Sequence, residues 1–290
     1  MEVTSPDSDR KSHLASGLYI VATPIGNSRD ITLRALDVLS SVTAIAAEDT
    51  RVARRLLDIH GIKPPKLIRH DEHGAERSRP EILSRLADGE AVALATDAGT
   101  PLVSDPGYRL VVEAVAAGHK VIPIPGPSAA LAALTLAGLP SDRFMFVGFL
   151  PPKSGQRCRA LRELIDVKAT LIFFEGVSRL AATLTDMAEI FGDRPACVAR
   201  ELTKFYEEAK RGSLLVLSRH YAEVGPPKGE VTIVVGPPAE KSLVAADFDA
   251  RLLELLETLS VKDAAKAAAD ELGLPRSDLY TRALTLKNKN

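Results

Sequence analysis

Short apolar runs alternate with amphipathic stretches along most of this chain. "GLYIVA", from residue 17, reads as a buried strand and is followed by the loop "TPIGN". "DITLRALDVLSS" then carries apolar residues at helical spacing, with Asp30 as its predicted N-cap. "VTAIAAE" is a second strand running into "DTRVARRLLDIHG", a helix that Gly61 closes. "PEILSRLADG" predicts a helix, "AVALATDAG" a strand and "GYRLVVEAVAAG" a helix ending at Gly118. "KVIPIPG" is another strand and leads into the helix "PSAALAALTLAG". Strands and helices in this order predict a mostly parallel sheet with right-handed crossovers.

Near residue 140 the texture changes. "LPSDRFMFVGFLPPKSGQR" reads as a linker with a strand inside it. A second alternating series follows: "ALRELIDV" (helix), "ATLIFFEG" (strand), "RLAATLTDMAEIFG" (helix), "ACVARELT" (strand), "SLLVLSRHYAEV" and the strand "GEVTIVVG". Beyond "PPAEKS" lie three helical segments, "DFDARLLELLETL", "VKDAAKAAADELG" and "SDLYTRAL". The predicted organisation is a disordered tail over 1–16, an N-terminal α/β domain over 17–140, a C-terminal α/β domain over 141–240 and a helical tail over 241–290.

In an open parallel sheet the loops after the strands gather at one edge, where ligands bind. Three of those loops, "TPIGN", "TDAGTPLVSDPG" and "PGPSAA", share a chemistry of Gly, Pro, Ser, Thr and Asp. Gly tolerates unusual dihedrals and Pro fixes them, while small side chains leave the main chain reachable. One such loop is an ordinary strand exit; three on one edge predict a site. The cleft between the two α/β domains is the expected place for a substrate.

Composition narrows the partners. The chain has 290 residues, enough for about two domains with real cores. It is 46% hydrophobic with a net charge of −1, which fits a folded globular protein and excludes one coated with charge for nucleic acid. Its two cysteines, Cys158 and Cys197, lie far apart, which predicts neither a disulfide framework nor a zinc site and fits a reducing cytoplasm. The first sixteen residues lack the apolar core of a signal peptide, and the longest apolar stretch, 129–139, is too short to span a membrane. No phosphate-binding G-x-x-x-x-G-K-[ST], no G-x-G-x-x-G after a strand, no G-x-S-x-G and no metal-type His/Cys spacing occurs. Backbone-lined loops without a phosphate cradle suit a zwitterionic ligand such as S-adenosylmethionine.

The motifs "LYIVATPIGN", "ITLRAL", "AEDTR", "TDAGTPLVSDPG", "IPGPSA", "FVGFLP", "ARELTK" and "KGE" occur in this order between about residues 17 and 236. Together they resemble the small-subunit ribosomal RNA cytidine 2′-O-methyltransferases, a branch of the tetrapyrrole methylase superfamily. The resemblance implies two α/β domains of tetrapyrrole methylase type, with mostly parallel sheets in the N-terminal one, plus the helical tail. It implies S-adenosyl-L-methionine in the interdomain cleft, a homodimer, and the ribose 2′-hydroxyl of a decoding-region cytidine as acceptor, in free RNA or the assembled small subunit. A tetrapyrrole methyltransferase of the same superfamily is the alternative, and "AEDTR" with the local basic excess argues against it. Ser28 and Arg29 stand where the family usually has Leu and Gly, and Gly74 follows His73 where Asn is common.

Matched motif to motif, the resemblance assigns the methyl donor to Pro24 and Ile25 of the first loop and to Asp97, Gly99, Thr100, Val103 and Ser104 of the second. It adds Ser128 and Ala129 from the third loop, Phe174 and Glu175 from a strand end of the second domain, and Glu230 and Thr232 from its last strand. A side chain at Gly99 would then obstruct a ligand lying on bare backbone.

The acceptor hydroxyl is a poor nucleophile, and a nearby base or hydrogen-bond acceptor would help it. Glu48, Asp49 and Arg51 of "AEDTR" stand at the carboxyl end of the second strand. One reading has the acids capping the next helix. The other has one of them orient or deprotonate the hydroxyl while Arg51 holds a phosphate. His70 is a further candidate base, since histidine titrates near neutrality, and a structural role is its alternative. Asn27, Arg54, Arg55, Arg200, Lys204 and Lys228 are the expected RNA contacts.

Between Arg51 and Arg85 there are nine Lys or Arg against five Asp or Glu, and a second basic run contains Lys153, Arg157, Arg159 and Arg162. Either run can simply face water; if they border the cleft they would bind phosphates. With eight Phe, five Tyr and no Trp, the chain is poor in stacking side chains, which favours a folded ribosomal surface over free single strands. In the tail, "SVKDAAKAAADELGLPRSDLYTRAL" has Ser260 as an N-cap and a turn at Gly273 and Pro275, a pattern like a helix-turn-helix. It packs on the catalytic domains or adds RNA contacts through Lys262, Lys266, Arg276 and Arg282.

Overall fold

Burial explains why five short segments become the first sheet. The computed structural model describes residues 14–72, 74–239, 245–272 and 275–287, so most of the polar N-terminal tail, His73 and Gly273 lie outside the described residues. The first half runs β1 (Gly17–Val21), α1 (Leu33–Ser41), β2 (Ala44–Ala47), α2 (Thr50–Ile59), β3 (Lys66–Arg69), α3 (Ala75–Ala87), β4 (Ala91–Ala95), α4 (Tyr108–Ala116), β5 (Val121–Ile124) and α5 (Ala129–Ala137). The strand order is β3-β2-β4-β1-β5, and every pairing is parallel. Every residue of β2 and β4 is buried, as a strand covered on both faces requires. On one face, Val38 and Leu39 of α1 and Leu57 of α2 pack with Tyr19, Val21 and Ile45. On the other, Ile82 and Leu86 of α3 and Leu110 of α4 pack with Leu18, Val92 and Leu94.

Two local details depart from the sequence reading. Asp30 does not cap α1. It lies in a 3-10 turn, Ser28–Asp30, and the cap is Thr32, whose hydroxyl accepts the Ala35 N–H at 3.1 Å. The buried face of α1, formed by Ala35, Val38 and Leu39, begins only after that point. β3 has no counterpart in the sequence reading: "KLIR" is four residues long, has its two apolar residues side by side and so lacks the alternation that marks a strand.

The second half runs β6 (Phe144–Phe149), α6 (Ser154–Glu163), β7 (Thr170–Glu175), α7 (Leu180–Phe191), β8 (Pro195–Arg200), β9 (Glu208–Ser213), α8 (Leu214–Val224) and β10 (Val231–Val235). Its sheet order is β6-β7-β10-β8-β9. Only β6 and β7 pair in parallel; β10 lies antiparallel between β7 and β8, and β9 is an antiparallel edge. The polar sequence "EAKRGS" of β9 suits an edge, where charge discourages further pairing.

Helix α5 joins the halves. Its sequence, "AALAALTLA", is apolar nearly all round, which suits a helix buried on more than one side. Ala130, Ala133, Leu134 and Ala137 share one core with Ile172, Cys197, Ala199 and Val234 of the second sheet. Residues up to Pro238 therefore form one compact unit. The second unit begins at Ala239 and contains α9 (Ala245–Leu256), α10 (Val261–Leu272) and α11 (Arg276–Lys287) around Leu252, Ala265, Ala268, Leu279 and Ala283. Ser260 caps α10 as predicted, accepting the Asp263 N–H at 3.2 Å. Arg282 pairs with Asp249 within this unit.

Arg157 also departs from expectation. It is 4% exposed, and its Nε donates to Asp186 Oδ2 at 2.6 Å, so it belongs to the core and not to a phosphate-binding face. Arg159 and Arg162 remain exposed on α6, as does Lys153 at its N-cap. The cysteines are free, with Cys197 buried in the shared core. Among the described residues no helix is long and apolar enough to cross a membrane, and no group of side chains could hold a metal ion.

Candidate active site

Side-chain and backbone bonds draw the three loops together. Thr23, after β1, exchanges both main-chain hydrogen bonds with Gly99 (2.9 and 3.0 Å), and its hydroxyl donates to Thr96 O at 3.0 Å. The Thr100 hydroxyl donates to Pro127 O at 2.9 Å and ties the second loop to the third. The second loop holds four left-handed residues: Gly99, Leu102, Ser104 and Gly107 have φ of 84°, 71°, 65° and 124°. Leu and Ser in that region carry backbone strain, which persists only where surrounding contacts over-determine the conformation. The main chain of Gly99 is engaged by Thr23, and among protein atoms a Cβ there would meet only Ile25 Cγ2, at an ordinary 3.5 Å. The positive φ at 99 favours glycine.

Between the sheets the loops frame a cavity of about 590 Å³. Ile25 of the first loop lines it, with Asp97, Gly99, Thr100, Val103 and Ser104 of the second and Ser128 and Ala129 of the third. Phe174, Glu175, Glu230 and Thr232 close it from the second sheet. Of the residues expected to hold the donor, only Pro24 stands outside the lining. Sequence reasoning missed Asp105, Phe149 and Ser178, which also line it. Phe149 and Phe174 meet edge to face with centroids 5.6 Å apart, giving an apolar aromatic end to the cavity.

The charged side chains of the lining are all acidic. They are Glu48, Asp97, Asp105, Glu175 and Glu230, with no Lys, Arg or His among the lining residues. Glu175 is neutralised by Arg179 at 2.5 Å, and Glu230 by Lys204 at 2.8 Å. The other three are raised. Burial pushes Glu48 up, with Asp97 adding to it, and burial also raises Asp97 against the Asp49 N–H that its carboxylate accepts at 3.0 Å. Asp105 is pushed up to about 6 by burial first and by the Glu48 charge second, with a Thr96 hydrogen bond opposing.

That shift has a consequence for stability. An ordinary aspartate ionises near 3.8, so above about pH 6 folded Asp105 bears a charge its surroundings disfavour, and below about pH 3 both states are neutral. Asp105→Asn is therefore expected to stabilise the protein by ~2 kcal/mol at about pH 8 and to have no effect below about pH 3, read from urea unfolding at each pH. A benefit that persists at low pH would trace to packing instead.

The four candidate catalytic side chains separate. Glu48 lines the cavity and has no ion pair among the described residues. Asp49 is the N-cap of α2, accepting the Arg51 N–H at 2.8 Å, and Arg51 pairs back onto it at 2.5 Å, which holds Asp49 well below the usual carboxylate range. The Arg51 side chain is still 89% exposed. His70 is buried at the end of β3 and lines a different cavity.

Of the expected RNA contacts, Arg54 and Arg55 lie exposed on α2 beside Arg51, whereas Arg69, Arg79 and Arg85 of the same basic stretch are paired with Asp71, Glu113 and Glu90. Arg200 is held by Glu208 and by Lys228 O, and Lys228 itself is exposed. Lys204 is shared between Glu201 and Glu230, both at 2.8 Å. Asn27 donates its N–H to Thr203 Oγ1 at 3.0 Å, which docks the first loop on "RELTK". Gly26 makes that approach possible: a Cβ there would stand 2.7 Å from Leu202 O and 2.5 Å from Lys204 Cγ. Gly26→Ala is expected to push the two loops apart at a cost of about 1–3 kcal/mol in chemical unfolding, with methyl-donor affinity falling alongside. Unchanged stability would mean the loops dock without this contact.

The chain belongs to the tetrapyrrole (corrin/porphyrin) methylase family, whose model matches residues 17–216. Within that family its curated relatives carry the name ribosomal RNA small subunit methyltransferase I. The protein so named from Mesorhizobium japonicum is 52% identical over 276 residues, 95% of this chain and 94% of its own length. That from Erythrobacter litoralis is 50% identical over 274 residues, 94% and 96% of the two chains. The RsmI C-terminal HTH domain model matches residues 242–287. Among solved structures, uroporphyrin-III C-methyltransferase from Thermus thermophilus, complexed with S-adenosylhomocysteine, shares the fold with a TM-score of 0.53 at 20% identity, covering 76% of this chain and 97% of that one.

Proposed function

We propose that this protein transfers the methyl group of S-adenosylmethionine to the ribose 2′-hydroxyl of a decoding-region cytidine in small-subunit ribosomal RNA, acting in the cytoplasm as a homodimer. One observation carries the donor assignment: the cavity has Glu48, Asp97 and Asp105 with no cation in its lining to balance them. A ligand bearing its own positive charge relieves that repulsion, and an anionic nucleotide would worsen it. S-adenosylmethionine supplies an electrophilic methyl on a positively charged sulfur, displaced in line with the pair of bonding electrons leaving on sulfur. Phe149 and Phe174 offer an apolar end for an adenine, and the Gly- and Ser-rich loops offer main chain to the amino-acid end.

In this reading Glu48, which lines the cavity, accepts the proton that the 2′-hydroxyl loses as its oxygen bonds to the methyl carbon. Alignment within the cleft supplies the rest of the acceleration. Arg51, Arg54 and Arg55, exposed at the carboxyl end of β2, are suited to phosphates flanking the acceptor. The relatives' shared name supports an RNA acceptor over a tetrapyrrole: they match at 43–52% identity, whereas the solved uroporphyrin-III methyltransferases match at 20–22%.

The test is to incubate the protein with methyl-labelled S-adenosylmethionine and undermethylated small subunits, then to map the label by nuclease digestion. Label is expected on one cytidine, with the adjoining phosphodiester resistant to alkali because its 2′-oxygen is blocked. Label on a base, or no transfer, would refute the reading.

A further inference from the structure

Two aromatic rings stand in solvent beside the donor cavity. Phe205 is 92% exposed and Tyr206 67%, and they meet edge to face with centroids 4.9 Å apart. Both belong to the loop between β8 and β9, residues 201–207, whose backbone is held in place. Glu201 and Thr203 have φ of 49° and 62°, left-handed values that carry strain in residues other than glycine. The Thr203 N–H donates to Glu207 Oε2 at 2.6 Å, and the Thr203 hydroxyl accepts the Asn27 N–H at 3.0 Å. Lys204 ties the same loop to Glu201 and Glu230. The rings are thus presented on a fixed frame, so little ordering is left to do when a partner arrives.

Tyr206 also lines a pocket of about 390 Å³. The lining is rich in rings, with His220, Tyr221, Pro226 and Pro227 beside the tyrosine. Its Lys, Arg and Glu side chains do not cancel. Glu208 is paired with Arg200 at 3.0 Å, and Arg200 Nη1 also donates to Lys228 O at 3.2 Å. The exposed Lys228 side chain has no ion pair among the described residues. Rings beside a spare cation match a nucleobase and its phosphate. The donor cavity is close by: Leu202 and Glu230 line it, and Glu230 follows Lys228 by two residues, which puts their Cα atoms within about 7 Å.

We propose that this pocket receives a nucleobase adjoining the acceptor nucleotide, stacked on Tyr206 with its phosphate at Lys228, while Phe205 braces the tyrosine ring. The inference rests on the RNA-methylation reading above. Seating the neighbouring base here lifts it out of the RNA stack and anchors the strand next to the donor cavity. Stacking is indifferent to base identity, because every base has a π-face, so the pocket supplies grip and register and leaves base choice to other groups. It also suits a chain poor in aromatic residues: a folded ribosomal surface needs only one neighbouring base drawn out, and one pair of rings serves for that.

The test is steady-state methyl transfer to small subunits reconstituted with intact RNA, or with RNA abasic at the 5′ or the 3′ neighbour of the target cytidine. Wild-type, Tyr206→Ala, Tyr206→Phe and Lys228→Ala proteins are compared, with donor affinity and sedimentation measured in parallel. Tyr206→Ala is expected to raise the KM for intact subunits about ten-fold, the scale of one lost base–aromatic stack, with donor affinity unchanged and Tyr206→Phe close to wild type. One of the two abasic RNAs should impose a similar penalty on the wild-type protein, and on that RNA Tyr206→Ala should add nothing further. Lys228→Ala should raise KM and flatten its salt dependence. An unchanged KM for Tyr206→Ala, or the same penalty on intact and on both abasic RNAs, would show that the ring meets no base and would overturn the proposal. A shift in sedimentation with Tyr206→Ala would overturn it too, by assigning the rings to contact between copies of this chain. Failure of the wild-type protein to methylate intact subunits would overturn the RNA-methylation reading itself, and the inference with it.

Discussion

Glu48→Gln combined with Asp97→Asn is expected to weaken S-adenosylmethionine binding roughly 100-fold while leaving S-adenosylhomocysteine affinity nearly unchanged. The two ligands differ by one methyl group and one positive charge. Both substitutions keep the shape of the side chain and an oxygen that can accept a hydrogen bond, so the Asp49 N–H, which Asp97 accepts in the wild type, is still satisfied by the new amide oxygen. What they remove is charge. Two unit charges about 5 Å apart attract by about 1.7 kcal/mol at an effective dielectric constant of about 40, so two carboxylates give about 3 kcal/mol. Titration calorimetry at about pH 8, where Asp105 is ionised as well, reads the difference directly. Wild-type preference for the charged ligand should also fall as pH drops through about 6, because Asp105 then takes up a proton and ceases to attract the sulfonium. Equal weakening of both ligands by the double variant would assign Glu48 and Asp97 to cavity shape and remove the electrostatic account of donor selection.

Much of this site could be read from the chain because its loops are local devices. "TDAGTPLVSDPG" announces tight backbone geometry through residue type alone, and the left-handed dihedrals at Gly99 and Gly107 are what those glycines are for. Leu102 and Ser104 share that conformation without any sign in their residue type. Asp105 sits in the same quoted motif, yet nothing nearby in sequence marks it. Its perturbation comes from burial and from Glu48, which only the fold brings near. The second sheet was legible as alternating elements but not as a topology, since β10 crosses over to lie between β7 and β8. Edge strand β9, "EAKRGS", is nearly devoid of apolar residues because an edge need not bury any.

Arg157 shows the same limit from the opposite side. In "KSGQRCRALR" it looks like its neighbours, but helical rotation turns it inward while Lys153, Arg159 and Arg162 face out. Its guanidinium donates to Asp186 Oδ2 at 2.6 Å and to Pro152 O at 3.2 Å, and Ser154 Oγ donates to the same carboxylate at 3.1 Å. Removing one partner leaves the other charged and buried, so Arg157→Ala is expected to cost about 3–5 kcal/mol in urea unfolding. The cost belongs to the abandoned charge and not to the pair as such. The double variant Arg157→Met with Asp186→Leu is accordingly expected to recover stability to within about 1 kcal/mol of wild type, or to exceed it. RNA affinity per folded molecule should be unchanged in that double variant and reduced, with a shallower salt dependence, by Lys153→Ala with Arg159→Ala. A fall in RNA affinity without a fall in stability on replacing Arg157 would return this residue to the surface and contradict the ion pair.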